Sequence, residues 1–212
     1  MPQKTEALHE LLGGQPVIPV IVVEDVASAV PLARALAKGG LPMIEITLRT
    51  PAALDAIRAV ADEVPEAKVG AGTVLTARQF GEATEAGSRF VVSPGTTREL
   101  IETASGSAVP LLPGAITPSE VMAAMEEGYR FLKFFPAGAA GGAEFLRSLS
   151  SPLSEVRFCP TGGVSAGNAR DYLSVPNVVC VGGSWVAPKD AVASGDWGRI
   201  EALAREASQI GA

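Results

Sequence analysis

Lys133 is the residue whose type and position most clearly suggest chemistry. It lies inside the apolar run Phe131-Leu-Lys-Phe-Phe-Pro136, whereas the other four lysines fall at the ends of predicted elements or in loops. A buried lysine loses its proton more readily than a solvated one, and the free amine attacks carbonyl groups. Lys133 is therefore predicted to be a nucleophile. A lysine that extends to the rim, or that forms a buried ion pair, would also fit this position.

A second polar pattern lies in the segment from Met43 to Arg49. Glu45, Thr47 and Arg49 alternate with apolar residues, and a period of two places them on one face of a strand. The apolar face must meet helices, so the polar face points inward. Glu45 is then suited to move protons to and from intermediates on Lys133, or to be its ion-pair partner. Arg49 has the planar fork that binds a carboxylate, and a rim arginine paired with a helix acid fits equally well.

Two threonines come at the ends of other predicted strands. By alternation, Thr73 is predicted to share the inward direction of Ala71, and Thr161 that of Cys159. This would bring both hydroxyl groups toward the lysine. A single threonine at a strand end is more often only a cap.

A pair of glycine doublets ends the last two predicted strands, in Thr161-Gly-Gly163 and Val181-Gly-Gly-Ser184. In parallel barrels, the loops after strands seven and eight frequently bind phosphate through backbone N–H groups. Glycine lets the backbone approach an anion closely, and Ser184 adds a hydroxyl donor. The doublets therefore predict a phosphorylated ligand.

The elements that must position these residues form eight alternations of strand and helix. The predicted strands are Val17–Val23, Met43–Arg49, Lys68–Val74, Arg89–Ser93, Val109–Pro113, Phe131–Phe135, Val156–Thr161 and Val178–Val181. The predicted helices are Asp25–Lys38, Pro51–Glu63 with Thr50 as N-cap, Ala77–Ala86, one that begins near Thr97, Pro118–Glu127, Gly142–Leu149, Ala166–Leu173 and Trp197–Ile210.

This alternation predicts an α/β fold, namely a single-domain (β/α)8 TIM barrel over residues 1–212. Residues 1–16 are predicted to be an N-terminal helical extension, in which an extra helix over roughly residues 5–12 closes the bottom of the barrel. An open doubly wound sheet is the competing architecture, but it would need fewer strands or separate edge strands.

Composition excludes several classes of function. The chain has 212 residues, 47% of them hydrophobic, and a formal net charge of −6, which argues against a nucleic-acid partner and favours a small molecule. It contains neither an apolar run of the ~20 residues that span a membrane nor a signal-peptide pattern, so we expect a cytoplasmic protein. Cys159 and Cys180 are expected to be reduced, buried thiols. Because His9 is the only histidine, a transition-metal site or a histidine-based triad is not expected.

Six motifs together resemble the 2-keto-3-deoxy-6-phosphogluconate (KDPG) aldolases, which are class I enzymes of the Entner-Doudoroff pathway. Many of them also cleave 4-hydroxy-2-oxoglutarate. The motifs fall in order between about Val17 and Pro188. They are Glu45-Ile-Thr-Leu-Arg49, Val69-Gly-Ala-Gly-Thr-Val74, Ser93-Pro-Gly95, Lys133-Phe-Phe-Pro136, Arg157-Phe-Cys-Pro-Thr-Gly-Gly163 and Gly182-Gly-Ser-Trp185.

The resemblance implies a role for each matching residue and a homotrimeric assembly. It implies that Lys133 forms the Schiff base and that Glu45 is the general acid/base. It also implies that Arg49 and Thr73 hold the pyruvate carboxylate and that Phe135 and Thr161 line the site. The phosphate is implied to bind to Gly162, Gly163 and Ser184, in a loop shaped by Gly182 and Gly183. Gly138 departs from the family pattern, where an acidic residue is expected, and this is predicted to loosen the loop over the site.

The expected reaction is cleavage of KDPG to pyruvate and glyceraldehyde 3-phosphate, together with cleavage of 4-hydroxy-2-oxoglutarate to pyruvate and glyoxylate. Because the lysine is the electron sink, no metal or organic cofactor is required. The alternatives are an aldolase for the galactonate-type epimer, a phosphate-binding barrel isomerase or epimerase, a metal-dependent pyruvate aldolase, and a non-catalytic protein that binds sugar phosphates.

Overall fold

The structure, a computed structural model, describes residues 4–210. Residues 1–3 of the predicted extension, and residues 211 and 212 of the predicted domain, lie outside the described residues. The strands are β1 (Val17–Ile21), β2 (Met43–Thr47), β3 (Lys68–Gly72), β4 (Val91–Val92), β5 (Leu111–Leu112), β6 (Phe131–Phe134), β7 (Arg157–Pro160) and β8 (Val181–Gly183). The helices are α1 (Thr5–Leu12), α2 (Val26–Lys38), α3 (Ala53–Glu63), α4 (Ala77–Glu85), α5 (Arg98–Gly106), α6 (Pro118–Glu126), α7 (Gly142–Leu149), α8 (Ala169–Leu173), α9 (Lys189–Ser194) and α10 (Trp197–Ser208).

The strands form two parallel sheets. Six of them follow the order β5-β4-β3-β2-β1-β8, and β6 pairs with β7. Single bridges join the two-stranded sheet to its neighbours on both sides: Gly114 with Lys133 on one side, and Thr161 with Gly182 on the other. The predicted α/β fold with parallel strands is confirmed. In the stretch from residue 4 to residue 210, no helix is both long and apolar enough to cross a membrane.

The beginning of α3 differs from the prediction. Thr50 is not an N-cap: α3 begins at Ala53, and the Thr50 hydroxyl donates instead to the carbonyl of Val23. The hydroxyl therefore joins the loop after β1 to the loop after β2.

The last strand also differs from its prediction. It lies at Val181–Gly183 rather than Val178–Val181, so the second glycine doublet is inside the strand and not in the turn after it. Val178 keeps only one bridge, to Phe158. A further short helix, α9, follows this strand at a place where no helix was predicted.

The two faces of the strands pack into separate apolar clusters. One face packs against the helices, as the fully buried Leu132 and Phe134 of β6 illustrate. The opposite face points into an interior cluster, which includes Leu8 and Leu12 of α1 and the ring of Phe131. The apolar side of α1 thus contributes to the interior cluster.

The two cysteines lie in the same interior cluster and are free thiols. A hydrogen bond with Cys159, together with burial, raises the pKa of the Cys180 thiol well above its usual range. Cys180 therefore remains a neutral thiol at physiological pH.

Gln15 ties the segment after α1 to the first two strands. Its buried side-chain amide donates to the carbonyl oxygens of Val17, at 2.7 Å, and Met43, at 2.9 Å. Its side-chain oxygen accepts a hydrogen bond from the Met43 N–H at 2.9 Å. A single side chain thus satisfies three backbone groups at the amino-terminal ends of β1 and β2.

We predict that Gln15→Ala lowers the free energy of unfolding by about 2–4 kcal/mol, because it leaves buried backbone groups without partners. Chemical denaturation of both proteins measures this difference. The same substitution at the exposed Gln209 is the control and should change stability little. An equal effect of the two substitutions would contradict the role assigned to Gln15.

Candidate active site

The predicted nucleophile and the predicted acid/base are in direct contact. The Nζ atom of Lys133 lies 3.0 Å from Oε1 and 3.4 Å from Oε2 of Glu45. The two side chains are only 6% and 4% exposed, so the pair is nearly withdrawn from water. Two charges buried in this way must compensate each other, and proton exchange between them needs no movement of either chain.

The backbone of β6 holds Lys133 firmly. Its N–H donates to the Pro113 carbonyl at 2.8 Å, and its carbonyl accepts from the Ala115 N–H at 2.9 Å. Alternation along the strand directs Lys133 inward together with Phe131, while the neighbouring side chains face the helices. The ring of Phe135 lies over the ammonium group, with Nζ 5.6 Å from the ring centroid.

Thr47, the middle member of the polar alternation on β2, has a structural partner. It is fully buried, and its hydroxyl donates to the carbonyl of Ile21 at 2.9 Å. This bond joins β2 to β1 close to Glu45. Thr47 is thus polar because it satisfies a backbone group, whereas Glu45 is polar because it contacts Lys133.

Arg49 and Thr73 come together at the mouth of the site. The Arg49 side chain is exposed, and its Nε donates to Thr73 Oγ1 at 3.2 Å. Within residues 4–210 the guanidinium forms no ion pair, so it is not the rim arginine paired with a helix acid that the sequence also allowed.

Thr73 reaches this position by a route that alternation did not predict. Ala71 packs against the helices, so the inward residues of β3 are Gly70 and Gly72, and the predicted inward direction of Ala71 is wrong. Thr73 has φ = 58°, the only positive φ among the non-glycine residues in the described part of the chain. The left-handed backbone breaks the alternation and presents the hydroxyl to Arg49.

Thr161 does follow its predicted alternation. It continues the inward face of β7 beyond Cys159, which is paired in register with Lys133. Its hydroxyl is buried and has no hydrogen-bond partner within the described residues. Buried hydroxyl groups normally have a partner, so this one is free to bind a ligand.

The first glycine doublet forms an open turn directly after Thr161. Gly162 and Gly163 have φ of 89° and 78°, a conformation that favours glycine. The N–H group of Gly163 donates no hydrogen bond inside residues 4–210. The carbonyl of Gly162 accepts from the Gly138 N–H at 2.8 Å, so the loop that contains Gly138 is joined to this turn. That Gly138 loosens the loop stays a prediction.

The second doublet serves a spatial purpose within β8. A Cβ atom on Gly182 would lie 2.3 Å from Oγ1 of Thr161, and one on Gly183 would lie 1.7 Å from the ring of Trp185. These two glycines therefore make room for neighbouring side chains. Ser184 follows them at the surface, and its side chain is exposed.

A cavity of about 1050 Å³ lies at the carboxyl ends of β1, β7 and β8. The predicted site residues in its wall are Arg49, Phe135, Thr161, Gly162, Gly163, Gly182, Gly183 and Ser184. Lys133, Glu45 and Thr73 are not in its wall. Phe135 and Thr161 lie two residues beyond the level of Lys133 on their strands, or about 6–7 Å, so the cavity opens above the buried pair.

Four charged or aromatic wall residues were missed by the sequence analysis. Glu24 and Asp25 come from the loop after β1, while Trp185 and Lys189 follow β8. Their places at the carboxyl ends of strands are the signal that would have found them. The Asp25 carboxylate also caps α2 by accepting from the Ala27 N–H at 3.3 Å.

Comparison with known proteins agrees with this arrangement. The family model described as "KDPG and KHG aldolase" matches residues 8–203. The KHG/KDPG aldolase of Escherichia coli (strain K12) is 54% identical over 204 residues, which cover 96% of this chain and 95% of that protein.

Two solved structures are also closely similar. KDPG aldolase from Legionella pneumophila, with pyruvate captured as a covalent carbinolamine intermediate, has a TM-score of 0.92 at 45% identity and covers 94% of this chain and 97% of that chain. The KDPG aldolase of Zymomonas mobilis ZM4 with 3-phosphoglycerate has a TM-score of 0.92 at 46% identity, and covers 97% of each chain. Together with the buried lysine–glutamate pair, these matches establish that the chain belongs to the KDPG and KHG aldolase family.

Proposed function

We propose that this protein is a class I, Schiff-base aldolase. It cleaves 2-dehydro-3-deoxy-6-phosphogluconate reversibly to pyruvate and D-glyceraldehyde 3-phosphate, and it also cleaves 4-hydroxy-2-oxoglutarate to pyruvate and glyoxylate. The observation that most directly supports this proposal is the 3.0 Å contact between Lys133 and Glu45 inside an apolar interior. The names of the similar proteins agree with it.

The reaction begins with transfer of a proton from the Lys133 ammonium to a base. Glu45 lies at hydrogen-bond distance and accepts it, so that the free amine attacks the C2 carbonyl of the substrate. Glu45 then donates this proton to the hydroxyl group of the carbinolamine, which leaves as water. The product is a protonated imine that joins C2 to Nζ.

Cleavage of the C3–C4 bond sends an electron pair into this imine and leaves an enamine. The C4 hydroxyl loses a proton as the aldehyde forms, and C3 later gains a proton as the enamine becomes an imine again. One carboxylate that both accepts and donates is sufficient for both transfers, and Glu45 is the carboxylate in contact with Nζ. Hydrolysis of the imine then releases pyruvate and restores the amine.

Arg49 and Thr73 hold the substrate carboxylate in this proposal. The guanidinium has no acidic partner within residues 4–210, and its contact with the Thr73 hydroxyl joins two donors at one edge of the site. A planar fork beside a hydroxyl binds a carboxylate through several hydrogen bonds and fixes its orientation. Phe135 and Thr161 line the same cavity as Arg49.

The phosphate group of the substrate is proposed to lie at the first glycine turn. In the turn formed by Gly162 and Gly163, the Gly163 N–H has no partner within residues 4–210, and the exposed Ser184 hydroxyl belongs to the same cavity wall. Such backbone N–H groups bind an anion without a cluster of basic side chains. Gly182 and Gly183 shape this wall by leaving space next to it.

The alternatives are less well supported. A phosphate-binding isomerase or epimerase has no use for a nucleophilic lysine, and the family is one of aldolases. An aldolase for the galactonate-type epimer is also less well supported, because the similar proteins named above are KHG/KDPG and KDPG aldolases. A metal-dependent aldolase would use ligands that a chain with a single histidine lacks. A purely binding protein is less well supported because the family is one of aldolases.

We also propose the finer architecture that the sequence predicts. The bridges on both sides of the β6–β7 pair support one closed (β/α)8 barrel that forms a single domain, with α1 as an extra helix at its amino-terminal end. The homotrimer and the cytoplasmic location stay proposals, the former from the family resemblance and the latter from the sequence.

Covalent trapping tests the nucleophile. Borohydride reduction in the presence of pyruvate should attach the reduced pyruvyl group to Lys133 and abolish activity, because reduction makes the imine permanent. Peptide mass mapping identifies the site. Lys133→Arg should give no adduct and no turnover, whereas Lys68→Arg, at an exposed strand lysine, should behave like the unchanged protein. An adduct elsewhere would rule out the mechanism.

Ser184→Ala tests the phosphate site. One lost hydrogen bond to a charged group corresponds to about 1.5–3 kcal/mol, so kcat/KM for the phosphorylated gluconate-type substrate should fall about 10- to 100-fold. The value for unphosphorylated 4-hydroxy-2-oxoglutarate should not change. Ser165→Ala, just outside the cavity wall, is the matched control. Equal losses for both substrates would contradict this assignment of the phosphate site.

Sedimentation equilibrium tests the assembly. A homotrimer of the 21.7 kDa chain should give about three times that mass, independent of loading concentration in the micromolar range. A species of single-chain mass would contradict the trimer.

A further inference from the structure

The backbone conformation of Gly72 does not explain why this residue is a glycine. It ends β3, is paired in register with Thr47, and its φ lies outside the left-handed region that favours glycine. An alanine would adopt the same backbone conformation without strain. The requirement at this position is therefore one of space.

The space is occupied by the carboxylate of Glu45. A Cβ atom on Gly72 would lie 2.0 Å from Oε1 of Glu45 and 2.6 Å from its Cγ and Cδ atoms. The Glu45 side chain thus leaves β2, lies against the bare backbone of β3, and reaches Lys133. Because Glu45 is only 4% exposed, it has no solvent into which it can withdraw.

We propose that Gly72 is a positioning residue for Glu45: the missing side chain creates the seat that holds the carboxylate within hydrogen-bond distance of Lys133. This inference rests on the proposed function of that pair. An ordinary carbon contact is no shorter than 3.4 Å, so a methyl group at this position moves the carboxylate by about 1.4 Å or turns it away. Misplacement by ~1 Å in a reacting pair lowers a rate by about 100-fold.

Gly70 is the matched control. It lies two residues earlier on the same inward face of β3, beside the backbone of Glu45, but the three nearest atoms to a Cβ there belong to the ring of Phe90, at 2.5–2.6 Å, and none to the Glu45 carboxylate. Alanine at Gly70 therefore disturbs the same strand and the same interior chiefly through Phe90. A general loosening of the barrel would affect both variants alike.

The experiment measures exchange of the pyruvate methyl protons for deuterium by NMR. This half reaction needs the imine and proton transfer at C3, but not the phosphate site. Gly72→Ala should lower the exchange rate about 100-fold per folded molecule. Gly70→Ala should retain the rate of the unchanged protein. In a Glu45→Ala background, adding Gly72→Ala should cause no further loss, because the effect acts through Glu45.

Each outcome supports or overturns the proposal that Gly72 positions Glu45. Equal losses in the two glycine variants, or a further loss in the Glu45→Ala background, would overturn the proposal. If Gly72→Ala does not fold, the double variant Gly72→Ala/Glu45→Ala should fold as well as Glu45→Ala alone, because removal of the carboxylate removes the clash. A double variant that fails to fold where Glu45→Ala folds would also overturn the proposal. Absence of exchange in the unchanged protein would instead refute the proposed function, so the two failures are distinguishable.

Discussion

The rest of the structure depends on keeping an ammonium and a carboxylate together in an apolar interior. Burial of either charge alone costs several kcal/mol, and removal of one partner leaves the other uncompensated. The pair is therefore tolerable only at a short, fixed distance. The paired backbone of β6 and the close contact of Glu45 with β3 meet this condition. In the proposed mechanism the same condition serves catalysis, because a proton passes between two groups that are already in contact.

Side chains that are absent matter here as much as those that are present. The first doublet exposes N–H groups at a turn, while Gly72 and Gly182 create space for Glu45 and Thr161. The two kinds of glycine differ in their backbone: the turn glycines have positive φ, whereas the strand glycines do not. The glycines near the carboxyl ends of the strands therefore serve separate local functions.

Much of this arrangement could be predicted from the sequence, because strand alternation is a local rule. It correctly directed Glu45 and Thr161 inward, and the apolar run around Lys133 correctly predicted the burial of that lysine. Alternation failed on β3, where Ala71 faces the helices and Thr73 has a left-handed backbone, and the predicted helix cap failed at Thr50, whose hydroxyl donates to the Val23 carbonyl. The partner of Thr50 is distant in sequence, and threonine rarely adopts the backbone conformation of Thr73, so neither outcome follows from the local pattern.

The apolar packing of Leu8 and Leu12 in the interior cluster also bears on how the products leave. The cavity opens at the carboxyl ends of the strands, so both products reach solvent at that end. In the proposed mechanism the keto-acid fragment stays bonded to Lys133 until the imine is hydrolysed, so the aldehyde leaves first, and in the synthetic direction the keto acid binds first. The covalent bond sets the order of release, and the apolar packing at the opposite end sets the direction of the path.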